Sequence, residues 1–137
     1  EALRELSESV DLRDDFVLIS GDIVSNMDLN PALKMHYQAK ADNKEFQTIL
    51  TKVFAQIPYS SPLRDPQQEV CLMLDSETKQ VLDYGTFTKS AMTSYQVNRK
   101  HIDLAKSAKQ YELLAGLVDT EVAICSKALM QHLNDDI

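Results

Sequence analysis

Hydrophobic positions along the chain fall into helical and strand periods that alternate. Leu3, Leu6 and Val10 share one helical face, so residues 1–10 read as the last turns of a helix. A polar turn over residues 11–15 leads into Phe16, Val17, Leu18 and Ile19, an unbroken apolar run. Acids precede it and Ser20-Gly21-Asp22 follows, which predicts a fully buried strand ending in a small-residue turn. Helical spacing returns over residues 28–41, where Leu29, Leu33, His36 and Tyr37 lie on one face. Asp28 or Asn30 can cap that helix, and Pro31 suits its first turn. Residues 46–54, rich in β-branched side chains, predict a second strand. Strand, helix and strand make a βαβ unit, expected to be parallel and right-handed.

The pattern then changes. Residues 56–68 hold Pro58, Pro62 and Pro66, and proline removes ladder donors, so this is a surface loop. Residues 69–74 and 80–84 read as two short strands of a hairpin joined through 75–79. Residues 85–109 carry little pattern beyond a strand at 94–97. Short strands are expected at 111–114 and 118–125, the latter buried. Ser126 is placed to cap a final helix with Leu129, Met130 and Leu133 on one face.

Composition bounds this picture. The 137 residues suit one domain, and 44% hydrophobic with 26% charged residues is an ordinary globular profile. Glu1 and Ile137 read as cut ends of something longer. No apolar run approaches the roughly 20 residues of a membrane-spanning helix. A net charge of −7 argues against general nucleic-acid binding. Short basic runs at residues 98–101 and 106–109 fit a solvated loop. Cys71 and Cys125 both lie in apolar strands, as buried thiols of a reducing compartment or as a single disulfide.

Few residues offer chemistry. Asp22 stands where the carboxyl end of a strand meets the ligand crevice of an open α/β sheet. It can be a Mg²⁺ ligand or an acceptor for turn amides. His36, on an apolar helix face, fits a core histidine bonded to a carbonyl better than a catalytic base. His101 and His132 read as ordinary, partly exposed residues. The three glycines, Gly21, Gly85 and Gly116, build neither a dinucleotide fingerprint nor a P-loop, and no nucleophile elbow surrounds Ser20. Tyr59, Tyr84 and Tyr95 lack the basic surround of a base-stacking platform and fit packing roles.

Two motifs carry a resemblance. Glu1-Ala2-Leu3-Arg4 followed by residues 15–22 resembles a segment of the nucleotide-sugar pyrophosphorylase fold. In its active enzymes the aspartate of the Gly-Asp pair, matching Asp22, binds the catalytic Mg²⁺. More specifically, Ser20-Gly21-Asp22-Ile23-Val24-Ser25-Asn26-Met27 is similar to the Ser-Gly-Asp-Val-Val-Ser-Asn run of the epsilon subunits of eukaryotic translation initiation factor 2B. Arg64 in the proline loop, residues 70–75 with Ser76 and Thr78, residues 111–114, Asp119 and residues 122–126 extend that similarity.

The resemblance implies a truncated, Rossmann-like α/β fold of the nucleotide-diphospho-sugar transferase type, with a mixed sheet and an antiparallel excursion. Residues 1–137 would be part of one nucleotidyltransferase-like domain. Where active relatives hold Tyr-Gly, Glu-Lys-Pro and Asn-Ala-Gly contacts to the sugar phosphate, this chain has Gln67-Gln68-Glu69, Tyr84-Gly85-Thr86 and Asp119-Thr120-Glu121. Acids replace small neutral contacts and a phosphate-neutralising lysine is missing, which opposes phosphate binding. The implied role is therefore a non-catalytic assembly or regulatory module of a cytoplasmic factor that promotes nucleotide exchange on the GTP-binding initiation factor 2. Its implied partners are the other subunits of factor 2B and, through the full-length protein, initiation factor 2. No membrane, direct nucleic-acid contact, cofactor, catalytic residue or metal is expected, and Asp22 is a vestigial ligand. The alternative is an active sugar-1-phosphate nucleotidyltransferase using Asp22 and Mg²⁺.

Overall fold

A computed structural model describes residues 2–42, 47–58, 60–62, 69–87, 96–97, 100 and 110–135. The expected features at Arg64, Gln67, Gln68, Tyr59, Tyr95, His101 and residues 106–109 lie outside the described residues, as do 94–95 and 98–99, while residues 96–97 of the expected strand are described and are not strand. The chain divides into two compact units, residues 1–53 with 120–137, and residues 54–119. In chain order the elements are α1 (Ala2–Ser9), β1 (Phe16–Ile19), α2 (Asn30–Asp42), β2 (Leu50–Gln56), β3 (Glu69–Asp75), β4 (Val81–Phe87), β5 (Tyr111–Cys125) and α3 (Ala128–Asp135). The five strands connect in the order β1-β5-β3-β4, with β2 also paired to β5.

The first unit is built on the last residues of β5. Val122, Ala123, Ile124 and Cys125 are all buried, and each pairs antiparallel with a residue of β1, from Ile19↔Val122 to Phe16↔Cys125. Burying an aliphatic side chain of this size stabilises by roughly 1.5–3 kcal/mol. β2 lines the same stretch of β5. Ser126 N–H donates to the Ile49 carbonyl at 2.8 Å, and Thr120 Oγ1 donates to the Val53 carbonyl at 2.6 Å. Numbering rises along β2 as it falls along β5, so this pair is also antiparallel. α1 packs with α3 in this unit.

β1 and β2 run in the same direction, as expected for a βαβ unit, but they are not neighbours: β5 lies between them and pairs antiparallel with both. Nor is β1 fully buried: Val17 and Ile19 are 39% and 50% exposed, whereas Phe16 and Leu18 are half-buried. Side chains alternate across a strand, and only one face of β1 is covered.

Helix ends follow the predicted signals. Asp28 Oδ1 accepts the Asn30 N–H at 3.0 Å, and Leu33 N–H donates to the Leu29 carbonyl. Pro31 falls in the first turn, where its missing N–H costs nothing. Ser126, nearly fully buried, caps α3, its Oγ accepting from the Ala128 N–H.

The second unit is an antiparallel sheet with β3 between β4 and the first part of β5. Val70 through Asp75 are all buried, and Val70, Leu72, Leu74 and Leu117 form a core against Phe54 and Leu114. The hairpin matches expectation, with its second strand reaching Phe87. Asp75 closes it. Its buried carboxylate accepts N–H bonds from Glu77 at 2.8 Å and Thr78 at 2.9 Å. The two strands expected near residues 111 and 118 are one 15-residue strand. A bulge joins them: the register slips between Val70↔Leu117 and Cys71↔Ala115, leaving Gly116 as the extra residue at φ 72°.

Candidate functional site

The acidic turn after β1 holds Asp22, the candidate metal ligand of the sequence. Ser20, Gly21 and Asp22 are all exposed. Ile23 N–H donates to the Ser20 carbonyl at 3.2 Å, and Met27 N–H donates to Ser25 Oγ at 3.1 Å. These bonds order the turn without using the Asp22 side chain. A Cβ added at Gly21 would meet nothing within 4 Å, so no close backbone approach requires glycine there. Val24 in the same loop is fully exposed.

A magnesium site needs about six oxygen ligands, commonly one or two carboxylates with water and phosphate. Among the described residues no three His, Cys, Asp or Glu side chains are grouped to hold a metal ion. Among the described residues Asp22 has no companion ligand, and one exposed carboxylate supplies fewer donors than such a site takes.

The structure assembles a second polar cluster that sequence reading only touched. His36, on α2, has no exposed surface. Its Nδ1 lies 2.8 Å from Thr51 Oγ1 on β2, and its Nε2 faces Asp15 Oδ2 at 3.5 Å without a hydrogen bond. Asp15 is itself held from two sides. Lys40 Nζ donates to its Oδ2 at 2.6 Å, and Lys127 N–H, at the start of α3, donates to its Oδ1 at 3.1 Å. One carboxylate before β1 therefore ties α2 to the N-terminal end of α3, where a negative charge is favoured by the helix dipole.

Burial pushes the Asp15 carboxyl upward, but the Lys40 ammonium and the Lys127 N–H outweigh it and hold the group below its ordinary value. Burial acts the other way on His36: it pushes the imidazole below its ordinary value despite the opposing attraction of Asp15. His36 was expected to bond a carbonyl, and its partner is instead a hydroxyl. Thr51, Lys40 and Lys127 carried no local motif, and Asp15 entered only as the first residue of the 15–22 run. Only His36, a polar residue on an apolar helix face, signalled the cluster.

Asp15, His36 and Thr51 together have the residue types of a charge-relay array, yet the arrangement does not suit nucleophilic catalysis. The imidazole is sealed from solvent, and Asp15 is already engaged by Lys40. A reacting group must reach both base and nucleophile. The cluster's chemistry is the holding together of elements.

The remaining candidates are structural. Cys71 and Cys125 are free and buried, and burial pushes both thiols up, away from reactivity. Tyr84 packs against Phe54 with ring centroids 6.4 Å apart. His132 is exposed on α3.

Taken together, these features define a mixed α/β protein with a central antiparallel strand, an exposed acidic turn and an interior polar clasp. No family model matches the chain. It is 29% identical over 136 residues to translation initiation factor eIF2B subunit epsilon of Dictyostelium discoideum, covering 99% of this chain and 18% of that protein. It is also 29% identical over 126 residues to translation initiation factor eIF2B subunit epsilon of Schizosaccharomyces pombe, covering 92% of this chain and 18% of that protein. The resemblance to epsilon subunits, carried by residues 20–27, therefore extends along nearly the whole chain. The chain spans less than a fifth of the length of these curated relatives.

Proposed function

We propose that this chain is part of a translation initiation factor subunit of the eIF2B epsilon kind, and that it serves as a non-catalytic assembly or regulatory module. The observation that carries this reading is the similarity to two epsilon subunits over at least 92% of the chain. The reading takes the chain as part of one nucleotidyltransferase-like domain, Rossmann-like in descent, that has lost its transferase chemistry. Two features support the loss. Asp22 has no companion ligand among the described residues, and acids occupy 69, 119 and 121 where a sugar phosphate would need neutral or basic contacts. Exchange activity toward the GTP-binding initiation factor 2 would then belong to another part of the full-length protein. The partners would be the other eIF2B subunits, in the cytoplasm.

The test is recovery of the tagged full-length protein from native extract. Co-elution of the other factor subunits, with stimulated GDP release from initiation factor 2, is the expected result. Synthesis of a nucleotide-sugar from a sugar-1-phosphate and a nucleoside triphosphate, lost in Asp22→Asn, would overturn the reading in favour of an active transferase.

A further inference from the structure

The sealed cluster around His36 is explained by neither the relatives nor the assembly role. We propose that His36 is a proton-operated clasp: the neutral imidazole fastens α2 to β2, and protonation releases the helix together with the turn that feeds it.

The geometry dictates the neutral form. Two tautomers are open to a neutral imidazole. If Nδ1 carried the proton, the bare lone pair of Nε2 would face the Asp15 carboxylate at 3.5 Å, acceptor against acceptor. With the proton on Nε2, Thr51 Oγ1 donates to Nδ1 and the Nε2–H points toward a negative charge. The second arrangement gives Nδ1 its donor and turns the Nε2–H, which makes no hydrogen bond, toward the carboxylate, and it is the one the cluster selects.

A second proton would fall on Nδ1 and displace the hydrogen bond from Thr51. It would make Nδ1 a donor and force the Thr51 hydroxyl to turn round and find another acceptor. The imidazolium would face Asp15, but that carboxylate already takes the Lys40 ammonium on Oδ2 and the Lys127 N–H on Oδ1. Beside the imidazole the Tyr37 ring, edge-on at 5.7 Å, offers no counter-charge. A cation with no exposed surface beside another cation carries a heavy desolvation cost. The folded state therefore binds this proton less readily than the unfolded chain does. Its contribution to stability is complete above the ordinary imidazole value of 6.5 and is lost as pH falls below it.

The test uses the full-length protein and amide hydrogen exchange read by mass spectrometry, with intrinsic rates divided out. Between pH 7.5 and 5.5, exchange over residues 30–42 should rise roughly threefold or more relative to residues 69–75, reversibly. In the same samples, exchange at the imidazole carbon between the two nitrogens should place the His36 midpoint below 6.5. Thr51→Val should open α2 already at pH 7.5. His36→Gln should abolish the pH dependence, whereas His132→Gln should leave it intact. A His36 midpoint at or above 6.5, or unchanged protection of residues 30–42 across the range in the unmodified protein, overturns the clasp whether or not any variant folds.

Discussion

β1 and the last four residues of β5 are two apolar tetrapeptides in one ladder, Phe-Val-Leu-Ile against Val-Ala-Ile-Cys, paired residue for residue. β1 is the more hydrophobic by side-chain size. Yet Ile19 is 50% exposed while Ile124 is 1% exposed. The difference is position in the sheet. β5 has β1 on one side and β2 on the other, with α3 following directly from its end, whereas β1 pairs only with β5 among the described residues. An apolar run marks a strand; the number of neighbours sets how much of it leaves water.

The sharpest way to break that comparison is to truncate both isoleucines. Ile124→Ala should destabilise by roughly 3 kcal/mol through lost transfer energy and a cavity, and Ile19→Ala by about 1 kcal/mol or less. Urea unfolding at equilibrium measures both, and equal losses would mean that β1 is as buried as β5. Next comes the polar contact that holds α2 against the same sheet. Thr51→Val keeps shape but strands a buried imidazole nitrogen, for an expected loss of about 1–3 kcal/mol in the same assay.

In the second unit, Asp75→Ala removes the acceptor for two turn amides and should cost about 1–2 kcal/mol at neutral pH. The Thr78 N–H leads in holding this carboxyl below its ordinary value of 3.8, against the opposing effect of burial. The stabilisation is thus present above 3.8 and is lost as pH falls through the lower folded value, so the penalty should shrink in acid. Thermal unfolding of both proteins from pH 7 to pH 3 tests the sign.

The smallest contrast is between two glycines. Gly116→Ala places a Cβ at φ 72° and should cost about 1–2 kcal/mol, whereas Gly21→Ala, in open space, should fall within about 0.5 kcal/mol of the parent. A large stability loss at Gly21 would reveal a close packing of the acidic turn that the structure does not show.

Much of the local structure was legible in the sequence. The 3.6-residue spacing of Leu29, Leu33 and His36 located α2, and Asp28 and Ser126 marked helix starts because short polar side chains satisfy orphan amides. Apolar runs and the polar turn at residues 75–79 located the hairpin. The Gly116 bulge was not legible, since a lone glycine reads as a break between strands until a partner strand continues past it. The candidate site divides the same way. Asp22 was visible as an acid after a strand, and the structure leaves it exposed, with no companion metal ligand among the described residues. Lys40 was visible only as a charge, and Asp15 only as the first residue of the 15–22 run.

By itself, then, the sequence determined where the helices and strands lie, that the chain is acidic, and which epsilon-subunit run it resembles. These depend on local periodicity and short motifs. Tertiary structure alone decided that β5 intervenes between β1 and β2, that one face of β1 stays exposed, and that residues 15, 36, 51 and 127 meet. Those outcomes depend on contacts between residues distant in sequence, up to 112 positions apart for Asp15 and Lys127. No local pattern encodes which strand a strand will pair with, or which buried charge will find which partner.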